Sequence, residues 1–561
     1  MDKYIYSFIT AFLAFSLVSC EKGDPVQEIP PVEEIEIYAL IGDMPTKSSI
    51  GREEMADGKA AFPVIWDKGD AIAVINNGKL YKFSLEEECA NTSKGKFKID
   101  KSALPPNFKE GDFNPDMAIQ AFYPYDGIRY DTILRSISYH VPLQQEYRTV
   151  VVEDENGGTA TAGNLTRGAL PMAAYVANAK DTIGFMNLFG VLKLSISGDE
   201  GEKLESITVI SENIINGDAS VSIDMGYGGT SYCSIDIFGS KADDDKTENK
   251  RVVLICGDGE PLSSTSKDFL IALPDRTYDY GVLITTSKGI YYKAISIPHV
   301  SVNIIESGEV LKVSPLNTNE MAPAYMENGV FLGDGIELPK SADGEETIVW
   351  APVNCGYEEP KKDGGQIIHI GYPYGKLYQW GRKDGQGYKD NSYEDASYPS
   401  EAYILGTGTP EPEKFYFDWT AGGVAEWPSD ADPCPEGWRV PTNEELLSLL
   451  YGLAPNDYLG GLAALWVTSN GDTKSRHYGL PGFTFYGNTV GADGNCLFLP
   501  AAGFRNYDFM GAHVRGLSGC YWSASSNGPN NAWYMDFNRN GYVDSYYAHR
   551  AYGRSVRCVM K

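Results

Sequence analysis

Val191-Leu192-Lys193-Leu194-Ser195-Ile196, closed by Ser197-Gly198, is a short run of apolar and β-branched residues cut off by turn formers. A run of this length, punctuated in this way, reads as a strand rather than as an amphipathic helix. The same texture recurs on both sides of it. Ala71-Ile72-Ala73-Val74-Ile75 runs into Asn76-Asn77-Gly78, and Arg251-Val252-Val253-Leu254-Ile255 follows further on. From Ile35 to about Pro315 helical patterns are scarce, so the expectation is β-sandwich structure, and the stretch is too long for one ordinary sandwich. The Gly-, Thr- and Ala-rich segment Thr161 to Arg167 divides it, giving expected units at 35–162 and 163–316.

The chain changes character after the polar joint Leu316-Asn317-Thr318-Asn319-Glu320. Trp66 is the lone tryptophan before residue 349, and the other eight of the nine lie between Trp350 and Trp533. A different domain over 325–561 accounts for the shift. It holds one clear helical pattern, Pro441 to Leu453, with Thr442 and Glu445 at capping-box spacing and Leu446, Leu449, Leu450 and Leu453 on one face.

Composition narrows the function classes. The 561 residues include 47 basic and 76 acidic side chains, a net charge of −29 that repels phosphate backbones, so no nucleic-acid partner is expected. The six histidines are scattered, and no H-E-x-x-H or C-x-x-C spacing occurs, so no metal ligand set is read. There is no Gly-x-Ser-x-Gly elbow, phosphate loop or dinucleotide fingerprint, so no catalytic residue and no cofactor are assigned, and the chain reads as a non-enzyme.

The first residues read as an export address. Lys3 precedes a largely apolar stretch from Tyr4 to Val18, a helix of roughly 22 Å against a hydrocarbon layer of roughly 30 Å, too short for a permanent span. Leu17-Val18-Ser19-Cys20 resembles the lipobox of bacterial lipoproteins, which implies a signal peptide at 1–20 and palmitate-type lipidation on Cys20, so the membrane is reached through a lipid anchor only. Residues 21–34, rich in proline and acid, read as a flexible tether.

Two resemblances extend this reading. Trp66-Asp67-Lys68-Gly69-Asp70-Ala71-Ile72, Ala121-Phe122-Tyr123-Pro124-Tyr125, Leu170-Pro171-Met172 and Phe185-Met186-Asn187-Leu188 resemble, in order, the fimbrillin-like family of type V pilus lipoproteins. That resemblance implies two transthyretin-like β-sandwiches over about 35–316. Asp432-Pro433-Cys434-Pro435-Glu436-Gly437-Trp438-Arg439-Val440-Pro441-Thr442, Leu499-Pro500-Ala501-Ala502-Gly503-Phe504-Arg505, Tyr521-Trp522-Ser523-Ala524-Ser525 and Gly553-Arg554-Ser555-Val556-Arg557-Cys558-Val559 resemble the Fibrobacter succinogenes major paralogous domain. It implies a C-type-lectin-like α+β head over about 325–561.

The lectin-like order of cysteines implies disulfides Cys434 with Cys558 and Cys496 with Cys520. Cys233 and Cys256 flank an acidic loop at Ala242–Asp245 and are weighed as a hairpin pair, while Cys89 and Cys355 have no evident mate. Asp536-Phe537-Asn538-Arg539-Asn540-Gly541 copies the start of an EF-hand loop, but Tyr547 stands where the bidentate Glu belongs, so it is read as a hairpin turning at Asn540-Gly541. Three aromatic clusters, Tyr372–Trp380, Phe415–Trp419 and Tyr546–Tyr552, are weighed as core filler against ligand platforms, and Arg505 and Tyr507 are the ligand-binding candidates in the long loop.

The fimbrillin resemblance implies an outer-membrane lipoprotein exported to the cell surface and to a fimbria. An Arg-directed cut, for which Arg52 is the candidate, removes the first strand, Ile35 to Leu40, and the groove accepts a strand from another pilin subunit. The last residues, Ser555 to Lys561, look built into the head, so the expected role is a fimbrial tip subunit whose adhesive head binds a host or bacterial surface glycan or protein. The alternative is a surface lipoprotein that never polymerises and captures glycan or protein ligands.

Overall fold

The computed structural model describes residues 35–561 with interruptions, chief among them 46–53, 240–247, 387–423, 452–463, 487–495 and 506–511. The protein is mainly β, with a single α-helix among the described residues. Seven strands close a barrel in the order Glu36–Ile41, Ile183–Asn187, Met172–Val176, Ile119–Tyr123, Ala71–Asn76, Lys79–Leu85, Lys94–Ile99. The expected turn after Ile75 is a two-residue hairpin in which Asn77 and Gly78 both hold positive φ (49° and 72°), the combination that matches strand twist. Trp66 fills the barrel, fully buried, with ring centroids of Phe97, Tyr123 and Phe185 at 4.9, 5.5 and 5.7 Å, all edge-on.

Three strings of the fimbrillin resemblance or its surroundings meet at one polar node beneath Trp66. The buried Asp70 carboxylate accepts from the Asp67 amide (2.7 Å), the Tyr123 hydroxyl (3.0 Å) and Arg167 Nε (2.8 Å), while the Tyr123 hydroxyl in turn accepts from the Gly168 amide (3.1 Å). The node ties the Asp67–Asp70 turn, the strand Ile119–Tyr123 and the loop before Met172 together. The buried Tyr123 hydroxyl would otherwise be left without an acceptor.

The opening run forms the strand Phe189–Ser197, and its apolar density is explained by burial on two sides. Val191 belongs to a cluster with Ala73, Phe122 and Ala173 from the outside of the barrel and Ile137 and Val221 from a four-stranded sheet. Leu192, Leu194 and Ile196 point into a second core with Ile207, Val252 and Val282. Lys193 escapes by pairing its Nζ with Asp268 at 2.6 Å.

The division between the first two units falls elsewhere than the expected 162/163. Met172–Val176 and Ile183–Asn187 complete the first barrel, whereas Ile128–Asp131, Ser136–Val141 and Gln144–Glu146 join sheets with strands from 217–261. The two units therefore interlock in sequence and share the cluster around Val191. The polar joint is also not a bare linker. Leu316–Asn317 pairs in parallel with Ile196–Ser197, and buried Thr318 donates to Glu202 Oε2 (3.0 Å). Just beyond, Ala322–Glu327 and Val330–Asp334 extend a seven-stranded sheet of the second unit.

In the head, the helix is Asn443–Tyr451, and its capping box is made as read: Glu445 N donates to Thr442 Oγ1 (3.2 Å) and Thr442 N to Glu445 Oε2 (2.8 Å). Glu445 also accepts from both Nη atoms of Arg439, at 2.6 and 2.7 Å. Leu446 and Leu449 are buried; Leu453 lies outside the described residues. Cys434 and Cys558 form a disulfide across a sequence separation of 124, with Cα atoms 5.9 Å apart. It links the segment before Trp438–Arg439 to the strand Val559–Met560, which those two residues flank in the same sheet.

The other expected pairs are corrected. Cys496 is exposed at the start of Cys496–Pro500, paired with Tyr486, whereas Cys520 is buried within Ser518–Ser526 of a different sheet and its thiol donates to Asp536 (3.3 Å); they are not bonded. Cys233 and Cys256 likewise sit in different sheets, not opposite one another on a hairpin, and are not bonded. The Asp536–Gly541 stretch is a hairpin, with the Gly541 amide donating to the Asn538 carbonyl (3.0 Å) at the turn. Cys20 and Arg52 lie outside the described residues.

Two stability outcomes follow from these contacts. Asp70→Ala should lower the stability of the barrel by about 2 kcal/mol, because three donors lose one acceptor; a chemical-unfolding midpoint equal to that of the parent would refute the node's role. Replacing Cys434 and Cys558 together by alanine should lower the stability of the head by about 5 kcal/mol, the loop-closure value for so long a loop, read as a lower denaturation midpoint of the head alone.

Candidate functional site

The strands Ser518–Ser526, Asn531–Asn538 and Val543–His549 form an antiparallel sheet with two unlike faces. Tyr521, Met535 and Phe537 point to one face and are buried in the head's core. Cys520, Tyr534 and Asp536 alternate to the other, where they line a cavity of about 540 Å³. The strand Gly553–Arg554 and the turn before it close the remaining wall, adding His549, Tyr552 and Arg554.

Arg554 is the centre of this site. Its guanidinium carbon lies 3.5 Å from the Tyr534 ring centroid, 5.1 Å from Trp522, 5.2 Å from Phe504 and 5.5 Å from Tyr552. Aromatic faces stabilise a cation in this way, more so where water is excluded. The residue is only 4% exposed, and its Nε has no hydrogen-bond partner among the described residues.

Two other arginines of the same region show how differently a structural role looks. Arg557, fully buried, gives Nε to Asn354 Oδ1 (2.9 Å), Nη1 to the Ala351 carbonyl (2.9 Å) and Nη2 to the Phe498 carbonyl (3.0 Å). Arg550 gives Nη2 to the carbonyls of Val424 and Gly528, both at 2.9 Å, and stacks over Trp380 at 4.1 Å. Both are consumed in holding backbone. Arg554 faces rings and a cavity.

The acidic partner of the site is restrained. Burial pushes the Asp536 carboxyl above its ordinary range, against the opposing effects of the Cys520 hydrogen bond and the Arg554 charge. Burial likewise raises the Cys520 thiol to about 12, so it is a hydrogen-bond donor and not a nucleophile. Among the described residues no group of three His, Cys, Asp or Glu is arranged for a metal, and no helix is long and apolar enough to cross a membrane.

The residues singled out in the sequence fare unevenly. Arg505 is 2% exposed and stands in a short strand between Ala512–His513 and Gly553–Arg554. Tyr507 and the Phe415–Trp419 cluster lie outside the described residues. Tyr374, Tyr378 and Trp380 are buried, the core-filling reading of that cluster. From Tyr546–Tyr552, Tyr547 (59% exposed) and Tyr552 line the cavity. Arg554 was not singled out, and its string, which also holds the buried Arg557, carries no local signal that separates the two.

Residues 334–560 match the family model described as the Fibrobacter succinogenes major domain. Among solved structures, the chain is similar to a candidate cell adhesion protein of Bacteroides ovatus ATCC 8483, with 14% identity, 53% of this chain and 96% of that one covered, and a TM-score of 0.27. A fimbrial protein of the same organism shows 9% identity over 94% of this chain and 99% of that one, with a TM-score of 0.18. The tip fimbrial protein Mfa3 of Porphyromonas gingivalis, with a C-terminal truncation, shows 11% identity over 48% of this chain and 84% of that one, with a TM-score of 0.19. No curated protein matches the chain. The head that holds Arg554 and its cavity is thus the part of the chain that matches the Fibrobacter succinogenes major domain, the family its Asp432–Thr442, Leu499–Arg505, Tyr521–Ser525 and Gly553–Val559 strings resemble.

Proposed function

We propose that this chain is the adhesive subunit at the tip of a surface fimbria, joined to the next subunit by strand addition and carrying its ligand site in the carboxyl-terminal head. The observation that carries the reading is the strand Glu36–Ile41. Ile37, Ala39 and Ile41 point inward and are at most 5% exposed, while Tyr38 and Leu40 point outward at 53% and 41%. Backbone pairing holds it on both sides, antiparallel to Lys94–Ile99 and parallel to Ile183–Asn187. A strand gripped by ladders and three alternate side chains is one that a foreign strand of the same alternation can replace.

A cut at Arg52 would separate that strand from the rest of the chain and open the barrel between its two former neighbours. Val559–Met560 lies between Thr347–Trp350 and Trp438–Arg439, next to the disulfide at Cys558, so this strand is committed to the head. In this reading a subunit that accepts a strand and keeps Val559–Met560 in its head sits at the end of a filament. A lipid on Cys20 would hold the precursor at the outer membrane until that exchange.

Intact mass and N-terminal sequencing of the protein from surface material of its native host test this. The expected result is a chain beginning at Glu53, recovered with filaments and confined to their ends, and full-length, filament-free protein from an Arg52→Ala variant. A lipidated Cys20 on every molecule, with none in filaments, would replace the tip reading by that of a stationary surface receptor.

A further inference from the structure

We propose that the cavity around Arg554 binds an acidic sugar: a six-membered ring bearing a carboxylate, taken with the carboxylate on Arg554 and the ring against tyrosine. This deepens the adhesive reading of the head and rests on it. A buried guanidinium whose Nε lacks an acceptor is costly, and the group that best relieves it is a planar anion, because the guanidinium fork matches a carboxylate. An aromatic cage ordinarily attracts cations. Here the cage is already occupied by the protein's own cation, with Tyr534 at 3.5 Å, so the opening that remains accepts the opposite charge.

The rest of the lining favours a sugar over a flat aromatic acid. Tyr552, in the turn before Gly553–Arg554, presents a ring at the cavity, suited to the C–H side of a pyranose, and Ser518, Asn531 and His549 supply hydroxyl, amide and imidazole groups for ring hydroxyls. A volume of about 540 Å³ lies within the range of small-ligand sites, roughly 300–1,000 Å³. Asp536 sits in the same wall, where its Oδ1 is engaged by the Cys520 thiol.

Isothermal titration of the full chain with glucuronic, galacturonic and N-acetylneuraminic acids, each beside glucose, galactose and N-acetylglucosamine, tests the assignment. At least one acid should bind, and at least ten-fold more tightly than its neutral counterpart, with a change in tryptophan fluorescence because Trp522 lies beside Arg554. Arg554→Gln should weaken binding at least ten-fold. Since Arg554 is buried, Ser518→Ala, on the cavity face of its strand, is the companion variant, expected to fold normally and to bind several-fold more weakly. Equal affinity for acid and neutral sugars, no binding of any acid, parental affinity in a folded Arg554→Gln, or tighter binding of a tripeptide through its free carboxylate would overturn the proposal. Filament-borne protein that fails these titrations overturns the ligand and leaves the tip role standing, whereas binding by protein absent from filaments does the reverse.

Discussion

The strand Phe189–Ser197 is buried on both faces over Phe189–Leu192 and on one face along its whole length, and the first half of the molecule is arranged around that constraint. A strand of this kind cannot lie at a solvent-facing layer, because each alternate side chain must find apolar cover. Val191 takes it from the outside of the barrel and the sheet at 128–141 and 217–237; Leu192, Leu194 and Ile196 take it from the second core. The barrel and the sandwich are thereby fused through one layer of side chains, which is why segments from each unit's sequence cross into the other.

The interlock also explains what could be read in advance. Alternation and turn residues are local, so the strands at 71–76, 189–197 and 251–261, the hairpin at Asn77-Gly78, the hairpin after Asp536 and the capped helix at Asn443 were all legible. Sheet membership is not local. A loop rich in glycine and threonine looks like a boundary, but it precedes two strands, 172–176 and 183–187, that return to the first barrel. The joint at Leu316–Glu320 looked like a linker for a similar reason: polarity is visible in the sequence, but the burial of Thr318 against Glu202 is not.

The candidate site divides along the same line. Cysteine order sufficed for Cys434 with Cys558, whose strands share a sheet, and misled for Cys496 and Cys520, whose strands do not. Four arginines of the head, at 505, 550, 554 and 557, are all buried, and nothing in their types separates them. What separates Arg554 from Arg550 and Arg557 is its surroundings: those two spend their donors on carbonyl and amide oxygens, whereas Arg554 is ringed by aromatic faces at a cavity wall. Only the fold supplies that distinction.

The parallel pairing of Phe189–Ser197 with Val310–Lys312 and Leu316–Asn317 has a mechanical meaning. The chain leaves the barrel at the amino end of the first strand and departs for the head at the carboxyl end of the last, so tension between barrel and head pulls these neighbours at opposite ends. The ladder is then loaded in shear, and its hydrogen bonds must give way together instead of unzipping one after another. A body under load between its two halves would be served by this connection.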